Sequence, residues 1–127
     1  MTNLLLTILI PCLIQVESAG RADVMGDGGK SAGCLQVGAA CIADVNRVAG
    51  TKYKWPADAL NPHKARTICL LYLSHYGAWY ERKTGRKADA EVLARVWNGG
   101  PYGWRKTATL PYWKKVEKEL LTPRTRR

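Results

Sequence analysis

The chain has 127 residues, room for one compact domain of the usual size of about 100–150 residues. Hydrophobic residues make up 46% and charged residues 24%, so the chain can bury a core, and disordered, collagen-like and low-complexity classes are excluded. Twenty Lys and Arg against 10 Asp and Glu leave a formal charge of +10, which draws the molecule to an anionic partner: nucleic acid, acidic lipid or an anionic cell-wall polymer.

Residues 4–14 form an apolar run interrupted by Thr7, Pro11 and Cys12, too short for a membrane span of about 20 residues. Its length suits the apolar part of a secretion signal, but no basic side chain precedes it and no Ala-x-Ala site follows. The expectation is a buried helical lead-in to Val16 and Glu17, with Pro11 kinking it or opening a second helical turn. Residues 20–38 carry Gly20, Gly26, Gly28, Gly29, Gly33 and Gly38 among small and polar residues, a density that suits tight turns or a short hairpin.

From residue 40 to 49, Cys41, Ile42, Val45, Val48 and Ala49 repeat at helical spacing, and Gly50 is placed to end the element. Asn61 before Pro62 reads as N-cap and first helical residue, after which Ala65, Ile68, Cys69, Tyr72 and Tyr76 share one face. Leu70, Leu71 and Leu73 widen that face until the helix is buried on most sides, and Gly77 is expected to stop or bend it. A basic, hydrophilic connection over residues 81–87 leads to a helix over 88–97, with Val92, Leu93 and Val96 apolar, that runs into Asn98. Gly99, Gly100, Pro101, Tyr102 and Gly103 cannot continue it, which sets Trp97 and Tyr102 on either side of a turn with accessible backbone. Pro111 opens a last helix with Tyr112, Trp113, Val116, Leu120 and Leu121. The sum is an α+β class, mostly helical, with a small Gly-rich loop or hairpin lobe: one domain over residues 1–121 and a basic tail over 122–127.

The four cysteines lack any Cys-x-x-Cys pair and the two histidines lack a metal-site spacing, so neither a metal nor another cofactor is expected. The cysteines are expected to be mostly free and buried, although an oxidising compartment would allow three pairings. Acid–base chemistry through carboxylates must draw on ten side chains. Glu17 stands out, because it follows the apolar helical run and precedes Ser18, Ala19 and Gly20, where helix gives way to loop. A carboxyl held there against apolar walls would keep its proton near neutral pH and could donate it to a glycosidic leaving oxygen. Position alone equally allows an exposed helix-terminal carboxylate without a role.

Four motifs in order add to this reading. Gln15-Val16-Glu17-Ser18-Ala19-Gly20 resembles the Glu-Ser-x-Gly signature of the soluble-type (SLT) lytic transglycosylases and the wider lysozyme-like superfamily. Residues 26–36, with Ser31, Gly33 and Gln36, are similar to that family's Ser-x-x-Gly-x-x-Gln loop. Val96-Trp97-Asn98-Gly99-Gly100-Pro101 resembles the Ala-Tyr-Asn-Ala-Gly motif of the transglycosylases and, still better, the His-Asn-Gly-Gly-Pro motif of invertebrate-type lysozymes. Tyr112-Trp113-Lys114-Lys115-Val116 is similar to the Tyr-Trp-x-x-Val ending of the latter.

The resemblance implies a lysozyme-like fold and a groove for the amino-sugar strand of peptidoglycan. The implied activity is a muramidase that cuts between N-acetylmuramic acid and N-acetylglucosamine, as lytic transglycosylase or lysozyme. Glu17 would be its general acid, with the raised pKa for which a lysozyme is the established pattern. It further implies that Ser31 and Gln36 line the groove, that Asn98 contacts sugar and that Tyr112 lies near the acid. Asp27 falls roughly where invertebrate-type lysozymes carry their second carboxylate, off by about one residue when aligned from Gln36, which leaves Asp23 as the alternative. Transglycosylases manage with the glutamate alone, so water and the substrate's own 6-hydroxyl both stand open as acceptors. The implied setting is the cell wall, reached by a phage or viral lysis protein (an endolysin) or a bacterial remodelling enzyme, working as a monomer. The alternative class is a non-enzymatic wall-binding or nucleic-acid-binding protein, motivated by the charge and by five Trp and six Tyr. Against nucleic acid, the basic residues are spread from Arg21 to Arg127 and no known nucleic-acid-binding signature is present.

Overall fold

The computed structural model describes residues 3–122; the tail expected beyond them lies outside the described residues. Five helices and a small sheet follow in the order α1 (Asn3–Ser18), β1 (Met25–Gly26), β2 (Ser31–Ala32), β3 (Val37–Gly38), α2 (Ala39–Ala49), α3 (Pro62–Thr84), α4 (Ala90–Gly99) and α5 (Leu110–Leu121). Short 3-10 turns at Asp27–Gly29, Gly103–Arg105 and Thr107–Thr109 join some of them.

α1 is the hub. It packs against α3, α4 and α5, and Leu6, Leu9 and Leu13 are fully buried, each contributing about 2 kcal/mol through removal from water. Pro11 sits inside this helix without ending it. Ala19 and Gly20, both with positive φ, turn the chain out of α1, and the buried Ser18 hydroxyl lies 2.9 Å from the Cys34 carbonyl. That contact joins the end of α1 to the Gly-rich lobe.

The lobe is a three-stranded antiparallel sheet in the order β1-β2-β3, with Gly26 opposite Ser31 and Ser31 opposite Gly38. Gly33, at φ 82°, turns β2 towards β3 and faces the Ala59 carbonyl so closely that any Cβ would collide with it. β3 leads directly into α2, whose C-cap is Gly50 in the left-handed conformation. The Trp55 indole donates to the Val37 carbonyl at 2.9 Å, which pins the α2–α3 connection onto the sheet.

Asn61 caps α3 as its sequence predicts, accepting from the Lys64 amide at 3.0 Å. Gly77 does not stop α3, which continues to Thr84 and ends at Gly85 in the left-handed conformation. One interior glycine costs only about 1 kcal/mol, and the burial of Tyr76 and Tyr80 on either side of it outweighs that. Residues 81–84 are therefore helix rather than connection. α4 begins two residues later than expected, because Asp89 accepts from the Val92 amide and caps it there. The buried apolar side chains form one continuous cluster.

Candidate active site

The last turn of α1 delivers Glu17 to the boundary between the helices and the sheet. Its carboxylate is half-buried and accepts a hydrogen bond from the Tyr112 hydroxyl at 2.9 Å. Tyr112 is held there because Pro111 opens α5 and α5 packs against α1. Burial raises the pKa of Glu17 to about 7, outweighing the opposing Tyr112 hydrogen bond and the positive charge of Lys115. Glu17 is thus no solvent-exposed helix end; it exchanges its proton near neutrality.

Glu17 opens into a cleft of about 310 Å³ whose walls are Asp27, Ser31, Gln36, Val37, Gly38, Cys41, Tyr72, Trp97 and Asn98. Of the six residues singled out in the sequence, five line this cleft and the sixth, Tyr112, bonds to one of them. Elements distant in sequence meet here: the end of α1, the hairpin lobe, and the faces of α2, α3 and α4. Asp27 is exposed and left-handed at φ 52°. All three non-glycine left-handed residues among the described ones border the site: Ala19 two residues after Glu17, Asp27 and Gln36. Such backbone is costly and concentrates where geometry is held for function.

The polar walls divide by availability. The Gln36 amide nitrogen donates to the Val24 and Gly33 carbonyls at 3.1 and 2.9 Å, and a Cβ at Gly26 would strike its amide oxygen. Gln36 therefore ties the lobe together while lining the cleft. The side chains of Ser31, Asn98 and Tyr72 make no hydrogen bond within the described residues, and their hydroxyl and amide groups suit the hydroxyl and N-acetyl groups of a sugar. Tyr72 and Cys41 were not singled out as site residues. Periodicity marks Tyr72 as part of a buried stripe but is silent on whether that stripe meets a neighbour or a cleft wall. Burial keeps the Cys41 thiol protonated, its pKa pushed up to about 12. Trp97 lines the cleft and packs edge-on to Tyr72 at 5.5 Å between centroids.

A larger cavity of about 430 Å³ between α1 and α3 is walled by Leu6, Ile10, Pro11, His63, Arg66 and Leu70 among others and contains no carboxylate. Among the described residues no group of three or more metal-ligating side chains occurs, and no helix is long and apolar enough to cross a membrane.

No protein-family model matches the chain. It is 29% identical over 111 residues to a lysozyme of Meretrix lusoria, a match covering 86% of this chain and 85% of that protein. With lysozyme 1 of Crassostrea virginica it is 31% identical over 111 residues, covering 84% of this chain and 55% of the relative. The fold is similar to that of the Meretrix lusoria lysozyme solved in complex with Aeromonas hydrophila PliI, at a TM-score of 0.72 and 28% identity over 87% of both chains. The same lysozyme with an inhibitor bound gives the same figures. The homologues of this chain are invertebrate-type lysozymes, and its fold is a lysozyme fold. The likeness to SLT transglycosylases has no counterpart among these matches.

Proposed function

We propose that this protein is a muramidase that hydrolyses the glycan strand of peptidoglycan between N-acetylmuramic acid and N-acetylglucosamine, with Glu17 as general acid. The observation that carries the reading is a carboxyl group with a pKa of about 7 at the edge of a cleft lined by unpartnered hydroxyl and amide groups. Glycosidic cleavage needs a proton for the departing oxygen, and a donor that titrates near the working pH supplies it best. Asp27 is the second carboxylate, stabilising positive charge on the sugar or directing water. The lysozyme relatives support hydrolysis by water over closure by the substrate's own 6-hydroxyl. Ser31, Asn98 and Gln36 bind sugar, and Tyr112 sets the acidity of Glu17 from behind. The protein acts at the cell wall, as a monomer, on a polymer of charge opposite to its own.

Digestion of purified peptidoglycan, with the released fragments weighed by mass spectrometry, tests this. Wild type should release fragments with reducing ends, Glu17→Gln should release none, and Asp27→Asn should be slower by about 100-fold or more. Anhydro-sugar ends would replace the hydrolase reading by a transglycosylase. Fragment release by Glu17→Gln at the wild-type rate would end the assignment of Glu17.

A further inference from the structure

A chain of ring contacts leads from the cleft, through the core, to an outer face. Trp97 and Tyr72, both on the cleft wall, begin that chain. Tyr72 meets Tyr76 at 4.8 Å between centroids, Tyr76 meets Trp79 at 6.3 Å, and Trp79 meets Tyr102 edge-on at 5.0 Å. The backbone links the same two ends, since Tyr102 follows the cleft residue Asn98 by four positions and so lies within about 14 Å of it. At the outer end two cations share one ring. The Arg105 guanidinium sits 4.3 Å from the Tyr102 centroid, and the Lys83 ammonium sits 5.7 Å from the same centroid and 5.7 Å from that of Trp79. Neither cation pairs with a carboxylate among the described residues, although Lys64, Arg47, Arg95 and Lys114 all do. Two like charges over one ring repel each other unless an anion joins them.

We propose that Lys83 and Arg105, seated over Tyr102 beside Trp79, form an anion subsite for the stem-peptide carboxylates of a peptidoglycan strand whose sugars occupy the cleft. The proposal rests on the muramidase reading. The division of chemistry favours it: the cleft lining offers hydroxyl, amide and carboxyl groups and no cation, matched to sugar, while Lys83 and Arg105 stand outside it. The carboxylates of a peptidoglycan strand likewise stand off the sugar axis, on the peptides. Rings flanking the cations offer their faces and edges to the aliphatic parts of the same peptides.

The test is a binding measurement in the Glu17→Gln protein, which leaves the polymer intact. It uses cosedimentation with peptidoglycan freed of phosphate polymers, beside the same material stripped of its peptides by an amidase. Lys83→Gln combined with Arg105→Gln should weaken binding to the peptide-bearing polymer by about fivefold and leave binding to the stripped glycan unchanged. Arg105→Lys, which keeps the charge, should bind like the parent. Equal binding of the double variant and parent to the peptide-bearing polymer overturns the proposal, as does an equal loss on both polymers or no binding by the parent to either. Thermal unfolding of the double variant at the parent's temperature establishes that the loss is local; should it unfold earlier, each single substitution gives the same comparison. Failure of the muramidase reading shows separately, as absence of fragment release by wild type from the same polymer.

Discussion

At the Glu17 carboxyl two influences oppose each other. Burial favours the neutral acid, whereas the Tyr112 hydroxyl and Lys115 favour the carboxylate, and burial wins with a pKa of about 7. Removing the hydroxyl in Tyr112→Phe takes away a hydrogen bond to the charged form, so the acid should hold its proton to higher pH. The alkaline fall in digestion rate should move up by about one pH unit, and a pH–rate profile superimposable on wild type would show that Tyr112 has no hold on the acid. Stability follows with a definite sign. Folding raises the Glu17 pKa from 4.5 to about 7, so the folded state binds the proton more tightly. Its contribution is fully present below pH 4.5 and is lost as the pH rises through about 7. Glu17→Gln should therefore be more stable than wild type by about 3 kcal/mol at pH 8. The difference should shrink on acidification and vanish below about pH 4.5, as read from urea unfolding at a series of pH values.

The elements differ in how far their sequences announce them. The Asn61-Pro62 start of α3, the Gly50 stop of α2 and the apolar run of α1 each carry a local physical signal, and each stands where that signal puts it. Gly77 was misleading because a single glycine weakens a helix only slightly, and the tertiary contacts of Tyr76 and Tyr80 decide the outcome. The hairpin lobe was legible as a Gly-rich non-helical stretch, but not its internal wiring. Gln36, marked by the family motif as a groove residue, spends its amide hydrogens on Val24 and Gly33. Gln36→Ala should lower stability by about 2 kcal/mol through those two hydrogen bonds and slow digestion several-fold while leaving the pH profile in place. A displaced pH profile would instead mean that Gln36 acts on Glu17. Tyr72 was invisible as a cleft residue for a related reason: the helical period gives a face, and only the packing of α2 and α4 against α3 gives that face its gap.

For the molecule as a whole, the charge of +10 suits approach to an anionic wall, and the Lys83–Arg105 pair would focus part of that attraction beside the cleft. Charge alone does not separate a wall polymer from nucleic acid; the ordered motifs at Glu17, Gln36, Asn98 and Tyr112 favour the proposed wall polymer, because Glu17, Gln36 and Asn98 meet at one cleft and Tyr112, 95 positions from Glu17, bonds to it. The four cysteines carry a different consequence. None is in a disulfide: Cys12, Cys34 and Cys69 are buried and Cys41 is partly so. Burial raises the pKa of Cys34, Cys41 and Cys69, which keeps these three thiols protonated and poorly reactive. The fold is thus held by packing and hydrogen bonds, with no disulfide to form. The same native state can form in a reducing cell interior, where a disulfide-stapled protein could not, and persist in the oxidising medium outside the wall.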